Sequence, residues 1–124
     1  MNAKRVLSVG QCFADHHAIS RTLRQHYAAD VSEAGTVEEA LAQLRQNQFD
    51  LVLVNRVFDA NGCEGVALIE QMKADAAFKN VPVMLVSNYQ NSQQEALSRG
   101  AEPGFGKAAL GRPEMLAAVG KFLS

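Results

Sequence analysis

The sequence predicts an α/β fold, a parallel sheet covered on both faces by helices. Three observations carry this. Apolar runs of strand length alternate with helical stripes from end to end, the order of successive βα units. Leu51-Val52-Leu53-Val54 is apolar at every position, as a strand buried on both faces must be. Capping and breaking residues, among them Thr36, Gly100 and Pro113, stand between the runs.

Each element has its own signal. Val6-Leu7-Ser8-Val9 reads as the first strand. A helix from Ala14 to about Tyr27 follows, with Ile19 and Leu23 one turn apart towards a core. Val31 to Ala34 is a second, weaker strand. Thr36-Val37-Glu38-Glu39 has the form of a capping box, a hydroxyl at the N-cap with a carboxylate three residues on. The helix behind it sets Val37, Ala40, Leu41 and Leu44 on one stripe. Leu51 to Val54 is the third strand, and Asn61-Gly62 marks a turn in the loop after it. Val66, Ile69 and Met72 form a helical stripe. Val81 to Val86 is the fourth strand, with Pro82 near its start, where a missing donor matters least. Asn91 to Ser98 is a short polar helix ended by Gly100. Gly104-Phe105-Gly106 is a weak fifth strand. Pro113 suits the first turn of a last helix that turns Met115, Leu116, Val119 and Phe122 inward.

A chain of 124 residues holds one domain with a real core, and a single domain over 1–124 is expected. Apolar residues make up 48% and charged residues 20%, the balance of a globular protein. A net charge of -1, with basic residues scattered, points away from nucleic acid and from anionic membrane surfaces. No apolar stretch approaches the roughly 20 residues of a membrane helix. Met1 to Arg5 leads into the first strand without a signal-peptide pattern, and Cys12 and Cys63 fit no disulfide framework. The expected location is therefore the cytoplasm.

In an open parallel sheet, ligands gather at the carboxyl ends of the strands. The residue delivered there by the third strand is Asn55. A neutral amide hydrogen-bonds well, but it is a poor nucleophile, whereas an aspartate could accept a phosphoryl group or hold a metal ion. No G-x-G-x-x-G follows the first strand, and no Ser/His/Asp set suggests hydrolysis.

The strand Asp50 to Val54, the segment Val81-Pro82-Val83-Met84-Leu85-Val86-Ser87, and Ala96-Leu97-Ser98-Arg99-Gly100-Ala101 running on to Lys107 resemble the receiver domain of bacterial two-component response regulators. The resemblance covers Lys4 to Leu123. It implies a flavodoxin-like (βα)5 three-layer sandwich with a five-stranded parallel sheet in the order 2-1-3-4-5. It also implies a magnesium ion on two acidic residues after the first strand, and a phospho-acceptor aspartate ending the third. A Ser or Thr and a Lys, after the fourth and fifth strands, would bind the phosphoryl oxygens. Here the acidic positions fall on Gly10 and Gln11, and the acceptor position on Asn55; Ser87 and Lys107 match. The proline that usually follows the lysine is Ala108. The switch aromatic falls on Gly104, with Phe105 one place later, and the loop from Asn55 to Gly65 is longer than usual. Asp15 in the first helix and Asp59 in the long loop do not plainly replace the missing carboxylates.

The resemblance thus implies the fold without the phosphotransfer: a pseudo-receiver, not an enzyme, with no cofactor and the magnesium of the family lost. Its expected role is phosphorylation-independent protein–protein interaction in signalling. The partner would be a signalling protein, another domain of the same polypeptide, or a second copy. Gln93, Gln94, Gly104 and Phe105 are the expected partner surface, although Phe105 reads equally as core. Ser87 is expected to satisfy a nearby backbone N–H. Lys107 is expected to fill space and hydrogen-bond Asn55 or a carbonyl. Cys12, His16 and His17 form a weak metal constellation on one helix start. Two alternatives stand: an active receiver with an unusual acceptor or metal arrangement, and a small-ligand or metal-binding module in the vacated pocket.

Overall fold

The computed structural model describes residues 3–124, so Met1 and Asn2 of the expected domain lie outside the described residues. Five strands, β1 (Lys4–Val9), β2 (Ala29–Ala34), β3 (Leu51–Asn55), β4 (Val83–Val86) and β5 (Glu102–Phe105), form one parallel sheet in the order 2-1-3-4-5. The helices are α1 (Phe13–His26), α2 (Val37–Gln46), α3 (Gly65–Ala74), α4 (Gln90–Ser98) and α5 (Pro113–Leu123). The expected fold and strand order are those observed.

Alternation along the strands builds two cores, one on each face. Leu7, Val9, Val52, Val54, Val83 and Leu85 pack on one side with Ala40, Leu44, Leu68, Ile69, Met72 and Ala96 of α2, α3 and α4. Val6, Leu51, Leu53, Met84, Val86 and Phe105 pack on the other with Ile19 and Leu23 of α1 and Met115, Val119 and Leu123 of α5.

Element ends differ from the sequence expectation where tertiary pairing decides them. β1 starts two residues early because Lys4 and Arg5 pair with Ala29 and Asp30. Val81 and Pro82 precede β4, although the Pro82 carbonyl accepts from the Val52 N–H. In α3, Leu68 is fully buried and Val66 only half-buried, because Gly65 opens that helix hard against the end of β3. A Cβ on Gly65 would overlap the Asn55 carbonyl oxygen. The Thr36 hydroxyl caps α2 by accepting from the Glu39 N–H at 3.1 Å. Glu39 reaches back one residue further than a capping box requires, to the Gly35 N–H at 3.0 Å.

Between β4 and β5 the register slips. Met84 pairs with Glu102 and Val86 with Phe105, so two steps along β4 match three along β5. This β-bulge re-aims the residues it carries. Gly104 lies against β4 and α4, and Phe105 turns into the α1/α5 core.

Candidate functional site

The register brings the carboxyl ends of β1, β3, β4 and β5 to one edge. Gly10, Asn55, Ser87 and Lys107 follow those strands or end them, and Gln11 lies beside Gly10. A concave pocket of about 330 Å³ opens there, lined by Asn55, Arg56, Val57, Val86, Ser87, Asn88, Tyr89 and Lys107.

Asn55 is pinned by three hydrogen bonds. Its Nδ2 donates to the Gly10 carbonyl at 3.0 Å and to the Val57 carbonyl at 2.7 Å. Its Oδ1 accepts from the Arg56 N–H at 3.0 Å. The amide therefore ties the end of β3 to the end of β1 and to its own following loop. A carboxylate could still accept from the Arg56 N–H, but it cannot make the two donated bonds, because it has no N–H.

Gly10 has φ +76°, a backbone that favours glycine. A Cβ on it would overlap the ring of Phe58, which is fully buried. The long loop therefore has a structural task. It folds back through Phe58 N–H to Cys63 O and Gly62 N–H to Phe58 O, and it plugs the space beside Gly10 with an aromatic ring. Sequence reasoning missed Phe58, although a lone large apolar residue in a polar loop is the available signal.

These residues do not fit a magnesium ion. The Gly10 carbonyl already accepts from Asn55 Nδ2 and from the Asp59 N–H, which uses both of its lone pairs. The Val57 carbonyl faces the same Nδ2. Gln11 offers one neutral oxygen, and that side chain is buried without a hydrogen-bond partner. A hard divalent cation calls for carboxylate oxygens, and none lines the pocket.

Lys107 does not do what the sequence suggested. Its Nζ lies 2.5 Å from Asp15 Oδ2, across from the first turn of α1. The Lys107 hydrogen bond holds the Asp15 carboxyl below its ordinary range; partial burial opposes this, and the Cys12 thiol adds a second, weaker hydrogen bond. Asp15, which the sequence places inside the first helix without a plain role in the site, is thus the partner of Lys107. The signal for it was its place in the first turn after the carboxyl edge of β1. Asp59 is exposed, and only its backbone contacts Gly10.

Ser87 is buried, and its Oγ accepts from the Tyr89 N–H at 3.1 Å, a local turn bond. Arg56 and Tyr89, unremarked in the sequence, meet at the pocket rim with the guanidinium carbon 5.0 Å from the ring centroid. Asn88 Oδ1 accepts from the Ala108 N–H at 3.0 Å and steadies the single turn Lys107–Ala109.

Three of the four expected surface residues lie elsewhere. Phe105 is 6% exposed and belongs to the core, because the bulge turns it inward. Gln93 is half-buried, and its Nε2 donates to the carbonyls of Leu85 at 2.8 Å, Ser87 at 3.1 Å and Phe105 at 3.3 Å. Gly104 lies beneath this strut, where a Cβ would overlap the Leu85 carbonyl and come within 2.9 Å of Gln93 Oε1. Gln94 is exposed, and Tyr89 and Leu97 are exposed large apolar side chains nearby in sequence.

The weak metal constellation does not assemble. Cys12 faces Asp15, His16 Nε2 lies 3.8 Å from Glu33 Oε2, and His17 stacks on Phe13. Among the described residues, no group of three or more His, Cys, Asp and Glu side chains could hold a metal ion. None of their helices is long and apolar enough to cross a membrane.

Comparison with known proteins agrees with this architecture. The family model of the response regulator receiver domain matches residues 13–119. Solved structures similar to the chain include NtrX from Brucella abortus, at 20% identity and a TM-score of 0.82, covering 98% of this chain and 27% of that one. The chemotaxis response regulator CheY4 of Vibrio cholerae matches at 20% identity and a TM-score of 0.76, covering 98% of this chain and all of that one. The signal receiver domain of a DNA-binding response regulator from Colwellia psychrerythraea matches at 18% identity and a TM-score of 0.79, covering 95% and 96% of the two chains. No curated protein sequence matches significantly. At these identities the structural likeness carries the fold.

Proposed function

The chain belongs to the response regulator receiver domain family, and from that premise we propose that it works in bacterial two-component-type signalling as a pseudo-receiver, without phosphotransfer. It binds a signalling protein, or another domain of its own polypeptide, in the cytoplasm. It is not an enzyme.

The observation that carries this reading is Asn55 Nδ2 held between the Gly10 and Val57 carbonyls. An amide in that position has no nucleophilic oxygen to form an acyl phosphate. The donor fills the space in front of two carbonyls, where a cation would have to sit. The partner surface is drawn from Gln94, Leu97 and Tyr89, which α4 and the turn before it leave exposed. Gln93 and Gly104 support that surface from beneath, and they couple it to β4 and β5 in one packed arrangement. A ligand shifts a conformational equilibrium only through differential affinity, and here the usual ligand has no attachment point.

The test is incubation with acetyl phosphate and magnesium, read by intact-protein mass and by hydrogen exchange over 89–106. Unchanged mass and unchanged exchange are expected. A phosphorylated species, on Asp15, Asp59 or any other residue, would establish a working receiver and overturn the reading.

A further inference from the structure

A second concavity, of about 550 Å³ and larger than the pocket at the carboxyl edge, lies at the opposite edge of the sheet, where β3 and β4 begin. We infer that it is a binding site for a purine nucleotide, the base seated among aromatic side chains with its edge read by amides, and the phosphate turned to Lys121. This goes beyond the interaction role and does not depend on it.

Three segments build it: the loop before β3, the loop before β4 and the last turn of α5. Phe49, Phe78 and Phe122 line it, one from each. Phe49 and Phe78 are rooted in the core beneath α2, α3 and α4, and Phe122 packs against the core on the other face, so the pocket bridges the two across the sheet edge. Its walls are fixed before any ligand arrives. Asp50 and Arg5 exchange hydrogen bonds at 2.8 Å, the Asp50 N–H to the Arg5 carbonyl and the Arg5 N–H to Asp50 Oδ2. Lys73 Nζ donates to the Lys79 and Val81 carbonyls at 2.9 and 3.0 Å and holds the loop before β4 in place. A preformed site loses little binding energy to ordering, and ligand pockets commonly run from roughly 300 to 1,000 Å³.

The polar lining selects the ligand. Asn47, Gln48 and Asn80 carry side-chain amides that make no hydrogen bond among the described residues, whereas Asn55 and Gln93 turn theirs to backbone carbonyls. An acyl chain would cover these amides without pairing them, at a cost in lost hydration. A purine offers apolar faces to the rings, and it offers ring nitrogens and an exocyclic group to amides whose donor and acceptor sit side by side. The Asp50 carboxylate, tied to Arg5 by one oxygen, has the other to accept from an exocyclic amine. Lys121 is exposed, is the single cation of the lining, and has no ion-pair partner among the described residues. Its ammonium suits one phosphate as a point charge.

The experiment is an amide NMR titration of the whole chain with AMP at constant ionic strength. Saturable shifts are expected at residues 47–50, 77–82 and 121–122, with 55–57, 87–89 and 107–109 unmoved. Asn80→Ala, at an exposed position, should weaken AMP and adenosine alike by about tenfold, the loss of one paired amide. Lys121→Gln should weaken AMP roughly threefold and leave adenosine unchanged, a split that a merely structural role would not give. Ribose 5-phosphate and octanoate at the same concentration should give no saturation in this region. No saturable AMP shifts up to the solubility limit, shifts at 55–57 in place of 47–50, or wild-type AMP binding by either variant would each overturn the inference. So would binding of ribose 5-phosphate or octanoate equal to that of AMP.

Discussion

Asn55 Nδ2 donates to the carbonyl oxygen of Gly10 at 3.0 Å, joining the ends of two neighbouring strands through a side chain. The bond has a direction. It needs a donor on β3 because β1 presents an acceptor, and the second acceptor, Val57 O, strengthens that demand.

Asn55→Asp should therefore destabilise the domain. An ionised carboxylate would face two carbonyl oxygens, at an expected cost of about 1–3 kcal/mol for the lost and repelled contacts. The urea midpoint should fall without a change in slope. The variant should also remain unlabelled by acetyl phosphate, since the seat for a metal is still absent. Efficient labelling together with wild-type stability would contradict the account.

Gly10 imposes a second restriction. Rebuilding an acidic site by aspartate at positions 10, 11 and 55 should fail at position 10 first. Any side chain there meets both the positive φ and the Phe58 ring. Gly10→Ala alone should cost about 2 kcal/mol or more, measurable by chemical denaturation. A stability loss within experimental error would mean that the loop yields freely and that Phe58 is not its anchor.

Much of the fold was legible because strands and helices announce themselves locally. Leu51 to Val54 has the length and composition of a doubly buried strand, and Pro113 suits the first turn of a helix. The pocket was legible by position, since strand ends converge on it in any sheet of this type. What stayed hidden was what each side chain does there. Lys107 meets Asp15 across a separation in sequence that no periodicity encodes. Phe105 reads equally as surface and as core in the sequence, because the bulge that turns it inward arises from pairing with β4. Gln93 looked solvated, yet the carbonyls of Leu85, Ser87 and Phe105 meet at its amide. Such facts depend on long-range register, and a polar residue in a helix carries no local mark of it.

Phe105 and Gln93 can be told apart from true surface residues. Phe105→Ala should cost about 3–5 kcal/mol through the cavity it leaves between α1, α5 and the sheet. Partner binding would then fall with the folded fraction. Gln93→Ala should cost about 1–2 kcal/mol, and it should raise hydrogen exchange at the β4–β5 end. Gln94→Ala, on the exposed side of the same helix, should leave stability unchanged. A Phe105→Ala variant as stable as wild type would remove the residue from the core.

The Asp15–Lys107 pair gives a pH signature with a definite sign. The carboxyl is held below its ordinary range chiefly by the Lys107 hydrogen bond, so the folded state binds its proton less readily than the unfolded chain does. Its contribution to stability is then fully present above the unfolded carboxylate pKa, and it is lost as pH falls through the lower, folded one. Both partners are about one-third exposed, so the effect is screened and modest. The stability difference between wild type and Asp15→Asn should stay constant from neutral pH down to the upper edge of the carboxylate range, then close below it. High salt should shrink the plateau. Lys107→Met should remove the same step, and the double variant should show no further loss. A difference that grows as pH falls would reverse the assigned direction and place Asp15 in the pocket unpaired.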